Sequence, residues 1–128
     1  MSYYLSKILE MSFERAVVKV TEELKKEGFG VITDIDVKET LKKKLNVDFR
    51  NYRILGACNP PFAYQALQTE DKIGLMLPCN VVVQEISDGK IEVAAIDPIA
   101  SMQAIDNPKL RDVANQVQVK LKKVIDNL

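Results

Sequence analysis

Val81-Val82-Val83-Gln84-Glu85-Ile86-Ser87-Asp88-Gly89-Lys90-Ile91-Glu92-Val93-Ala94-Ala95-Ile96 is two β-rich runs joined by an Asp-Gly pair. Branched Val and Ile suit a pleated, packed surface, and Asp-Gly supplies the positive φ angles that a two-residue loop needs. The stretch therefore predicts an antiparallel hairpin. A two-residue loop sets Ser87 against Lys90, which in turn puts Glu85 opposite Glu92 and Asn80 opposite Asp97. One face then carries Val81, Val83, Ala94 and Ile96, and the other Val82, Val93, Ala95, Ile86 and Ile91 with Gln84. Both faces are apolar. An antiparallel sheet usually keeps one face wet, so a second dry face calls for helices on both sides or for a partner chain, and a homodimer is expected. The Glu85/Glu92 pair is tolerable only where solvent or a basic partner relieves it, so that end is expected to be exposed, and the other end carries Cys79, Asn80, Asp97 and Pro98.

Upstream, the apolar run reaches back to Ile73, but Pro78 inside it demands an edge, a bulge or a break. Before that lie three further strand candidates: Ser2 to Glu10, Phe29 to Ile35, and Tyr52 to Cys58. Between the first two, Ser12 is an N-cap for a helix with Phe13, Ala16, Val17, Val20 and Leu24 on one stripe, stopped by Gly28. Asp36 with Glu39 resembles a capping box and opens a short helix with Val37, Leu41 and Leu45. Asn59 caps a third helix that begins Pro60-Pro61, taking up the Phe62 amide and burying Phe62, Ala66 and Leu67. At the end of the chain, Asn107 and Pro108 start a long helix with Leu110, Val113, Ala114, Val117, Leu121, Val124 and Leu128 in line.

The 128-residue chain has the length of one domain, 1–128, and its 47% apolar and 28% charged residues are those of a soluble globular protein. Eighteen basic residues balance eighteen acidic ones, so bulk charge draws it neither to nucleic acid nor to an anionic membrane. The segment from Lys38 to Arg53 holds a local excess of four positive charges and reads as a solvated face. Charges among the first fifteen residues break any secretory core, no apolar run is long enough to span a bilayer, and a cytoplasmic location is expected. Histidine is absent, which removes Ser-His-Asp and Cys-His catalysis and the two-histidine zinc helix. The five glycines form no phosphate loop. The expectation is binding rather than catalysis, with no catalytic residue, no metal ligand and no particular cofactor assigned.

Two segments echo one another: Leu55-Gly56-Ala57-Cys58-Asn59-Pro60 and Leu77-Pro78-Cys79-Asn80. They hold both cysteines, each followed by Asn. Free thiols in a reducing compartment pack as small hydrophobes, line a pocket, or do redox or soft-metal work. The leading expectation is a small-molecule site rimmed by Cys58, Asn59, Cys79, Asn80 and Asp97. Alternatives are a thiol redox or Cu(I)-type soft-metal protein using Cys58 and Cys79, with Met76 or Met102 nearby, and a non-catalytic protein-interaction module.

These two segments, together with Gly28-Phe29-Gly30-Val31 leading to Asp34-Ile35-Asp36-Val37, and Gly74-Leu75-Met76-Leu77-Pro78-Cys79-Asn80-Val81-Val82-Val83, give a pattern that resembles the domain of unknown function 302 family over nearly the whole chain. The resemblance implies a single α+β domain, a mainly antiparallel sheet with helices packed on it in a TATA-binding-protein-like β-α-β-rich layout, and a dimer. It implies no activity, since the family has none assigned. A shared architecture is no warrant for DNA binding.

Overall fold

A computed structural model describes residues 2–128. Five antiparallel strands form one sheet in the order β1-β5-β4-β3-β2, with β1 spanning Tyr4–Glu10, β2 Gly30–Asp36, β3 Tyr52–Cys58, β4 Cys79–Ser87 and β5 Lys90–Ile96. Helix α1 (Phe13–Lys26) carries the chain from one edge strand to the other, α2 (Val37–Leu45) and α3 (Pro60–Thr69) flank β3, α4 (Pro98–Ser101) is one turn, and α5 (Pro108–Asp126) closes the fold. The expected α+β architecture and its β-α-β opening are present.

The helices form where the sequence marks their ends. The Ser12 hydroxyl accepts from the Arg15 N–H at 3.3 Å, and Gly28, at φ +87°, ends α1 in a left-handed turn that side chains disfavour. Phe13, Ala16, Val20 and Leu24 are buried, as are all the apolar residues expected on the α5 stripe. Asn107 caps α5 through its Oδ1, which accepts from Lys109 N–H at 3.1 Å. Helix α2 is capped as expected by Asp36 but buries none of its residues.

Strand β4 begins only at Cys79. Asp71–Met76 is a 3-10 turn, and Pro78, joined to Leu77 by a cis peptide, occupies the break between turn and strand. The hairpin register also differs from the expected one. Ser87 does face Lys90, but a bulge between Glu85 and Ser87 shifts everything beyond by one, so that Glu85 faces Ile91 and Gln84 faces Glu92. The Glu85 carboxylate accepts from the Gly89 N–H at 3.2 Å and from Asn51 Nδ2 at 3.0 Å, which holds the extra residue in place.

A one-residue slip exchanges the faces. Val81, Val83, Ile91, Val93 and Ala95 all point to the helices and are buried. The opposite face carries the row Ile35, Ile54, Val82, Ala94 and Ser6, each paired with the next across the sheet. No helix lies over that row, and Ile35, Tyr4 and Ile8 on the same face are exposed. Helices α1 and α5 share the covered face. The second face is open rather than roofed.

Candidate functional site

Strand β3 ends in Cys58 and β4 starts at Cys79, and Ala57 pairs directly with Cys79. Antiparallel pairing of these two strands therefore brings the cysteines, far apart in sequence, within one residue step of each other. Cys79 is 7% exposed, and burial, with Cys58 beside it, pushes its thiol up to about 11. Cys58 is half-buried. At neutral pH Cys79 holds its proton, a poor state for a nucleophile or a ready metal ligand.

Both cysteines line a cavity of about 280 Å³ at this end of the covered face. Its floor is Ala57 and Cys79 of the sheet, one wall is α3 with Phe62 and Ala66, and the other is α5 with Val113 and Val117. Leu77 and Pro78 of the break, and Met102 beyond α4, close the far side. Ile32 and Leu67, both exposed, sit at the mouth. The wall holds no Lys, Arg, Asp or Glu. Such a space favours hydrocarbon over water or ions.

Asn59 is the amide in this wall, and its role differs from the expected cap. Its side chain makes no bond to the start of α3. Instead Nδ2 donates to the Glu27 carbonyl at 3.1 Å, fastening the head of α3 to the end of α1 beside Gly28. The backbone at Asn59 is extended like that of the bonding caps Asp36 and Asp97, so it is the side chain's commitment to Glu27 that leaves the Phe62 amide without it. Asn59 is 8% exposed.

Asn80 and Asp97 do not join this group. Alternation sends Asn80 to the open face opposite Gly56, where it is exposed near Tyr4, Tyr52 and Val82. Asp97 does not oppose Asn80, because the bulge moves β5 by one residue. Its carboxylate caps α4 through Oδ1, which accepts from Ile99 N–H at 2.9 Å, and Oδ2 accepts from Gln118 Nε2 at 3.1 Å. That ties the end of β5 to α5. Of the five rim residues, Cys58, Asn59 and Cys79 share one cavity.

The basic segment is largely paired within the chain. Lys43 meets Glu39, Lys42 meets Asp48, and Arg53 forms a two-pronged bridge to Asp34 with both contacts at 2.9 Å. Arg50 lies over the Phe49 and Tyr52 rings. Sequence reasoning missed most of the cavity wall, including Phe29, Ile32 and Val113, and named Met102 only as a neighbour of the thiols in the soft-metal alternative. The legible sign was size: Ala57, Ala63, Ala66 and Ala114 are small residues where sheet, α3 and α5 converge.

A family model described as "Domain of unknown function DUF302" matches residues 5–128. A solved structure, described as the crystal structure of uncharacterized conserved protein DUF302 from Bacillus stearothermophilus, matches with a TM-score of 0.90 at 27% identity, covering 98% of each chain. No curated protein matches significantly.

Proposed function

Because the chain belongs to the DUF302 family, whose description names no activity, its function has to be read from its own geometry, and we propose that it is a binding domain for a small, mainly apolar ligand. The observation that carries this reading is the cavity of about 280 Å³ with two thiols, one amide and no charged residue in its wall. Ligand sites of this kind are concave, largely apolar and furnished with a few polar groups. The half-buried Cys58 and buried Cys79 serve as wall, a use that suits small apolar side chains.

The test is a titration with n-butylbenzene followed by amide NMR. Saturable shifts at Ala57, Cys79 and Ala114 are expected. Ala63→Phe, which fills the α3 side, should abolish them while circular dichroism stays unchanged, and Leu67→Trp at the mouth should weaken them. Shifts that are absent in the wild type, or that survive both substitutions, would count against the cavity as the site.

The uncovered sheet face supports a second element of the reading, a homodimer in which two such faces meet. The chain exposes 7769 Å². A compact monomer of its mass exposes about 6,800 Å². The chain thus exposes more surface than a compact monomer of its mass, in keeping with a sheet face left uncovered.

A further inference from the structure

Asn59 is the one amide in the cavity wall, and the direction of that amide is fixed. A backbone carbonyl only accepts, so the group 3.1 Å from Glu27 O has to be the NH₂, and Oδ1 is the free end. Among the described residues Oδ1 accepts from nothing: α3 does not use it, and Pro60 and Pro61 bring no N–H to it. No side-chain polar atom of the described residues is both sealed off and unbonded, so Oδ1 opens onto space. More than nine-tenths of Asn59 is buried, and the residue is one of those that line the cavity. The residue with this unpartnered acceptor thus belongs to a wall otherwise made of hydrocarbon and thiol.

We propose that Asn59 Oδ1 is the polar anchor of the site and that the ligand class is an uncharged molecule with one hydrogen-bond donor on an apolar body. This rests on the cavity being a ligand site. The wall has no cation to offset an anion, and burying an unpaired carboxylate is far more costly than burying a hydroxyl. Size follows from volume: at roughly 30 Å³ per water-sized group, the cavity accepts about nine non-hydrogen atoms. Alcohols and phenols fit this description, and fatty-acid anions do not.

Two isomers of nine non-hydrogen atoms isolate the anchor. 1-Octanol donates a hydrogen bond and heptyl methyl ether only accepts, while octanoate supplies the charged comparison. In calorimetric titrations of the wild-type protein, octanol should bind about fivefold more tightly than the ether, the ratio one neutral hydrogen bond confers. Octanoate should bind weakest. In Asn59→Ala the preference should vanish or reverse, since a hydroxyl then enters without a partner, while ether affinity stays within about twofold. The wild-type comparison stands even where that variant folds poorly for want of the bond to Glu27. Equal binding of the isomers, or tightest binding of octanoate, would overturn the anchor and leave the cavity reading intact. Failure of octanol, ether and n-butylbenzene alike would overturn both.

Discussion

A methyl group at residue 56 would lie 2.0 Å from Thr33 Oγ1 and 2.7 Å from Pro78 Cγ, so the chain carries Gly56 where β2, β3 and the break before β4 crowd together. Gly56→Ala should therefore cost about 3 kcal/mol in chemical denaturation through overpacking. Adding Thr33→Ala should recover only part of it, because the Pro78 contact persists. A fully stable Gly56→Ala would mean that the approach is looser than these distances. Cys79 has a signature of its own at high pH. Its thiol titrates near 9.0 when unfolded and at about 11 when buried. Below pH 9 it is protonated in both states and contributes no pH dependence. Between 9 and 11 the unfolded chain loses the proton first, binds fewer protons than the native state, and is favoured as pH rises. Wild-type stability should fall across that window by up to about 1.4 kcal/mol per pH unit more steeply than that of Cys79→Ala. At neutral pH a thiol reagent should label Cys58 first and reach Cys79 only on unfolding. Equal, rapid labelling of both would contradict the burial.

At the scale of elements, the hairpin turns on Glu85. Its carboxylate accepts from Asn51 and from the Gly89 amide, and these bonds lower its pKa from the ordinary carboxylate value. The group is ionised above the unfolded value of 4.5, so its contribution is present there and is lost as pH falls through the lower folded value. Glu85→Ala should speed hydrogen exchange at Gly89 and loosen the bulge, and the wild type should show the same faster exchange on acidification. Unaltered exchange in both would separate the bulge from the carboxylate. Asn51 also explains why this register was hidden in the sequence. Asp88-Gly89 marks the turn, but the bulge depends on a residue 34 positions away that no local pattern reveals. Helices α1 and α5 were legible because caps and apolar stripes are local. The same division holds at the site: the junctions at Cys58 and Cys79 were visible as repeated Cys-Asn pairs, whereas the turn of Asn59 toward Glu27 depends on where α1 ends. Asn80 and Asp97 entered the expected rim only through the unbulged register, and they leave it with the bulge.

For the whole molecule, one sheet has two apolar faces and only one set of helices. Ile35, Ile54, Val82 and Ala94 run side by side across the uncovered face, flanked by the exposed Tyr4 and Ile8. An uncovered apolar row of this kind is the surface on which the proposed dimer rests. A second copy suits it because a two-fold axis through the sheet lays identical rows against each other, and its charged groups have partners within the face: Glu10 stands opposite Lys90, and Glu92 accepts from Gln84 Nε2 at 3.1 Å. Wild-type protein should therefore sediment as a dimer at micromolar concentration. Val82→Lys should place two desolvated ammonium groups near that axis, a like-charge contact worth several kcal/mol, and shift the population to monomer. Because Val82 points away from the helices, the variant should keep its circular dichroism and its n-butylbenzene shifts. That separation makes the measurement decisive: a wild type monomeric at all accessible concentrations removes the dimer, and a Val82→Lys dimer moves it to another surface, while the cavity on the opposite face is judged by its own titration.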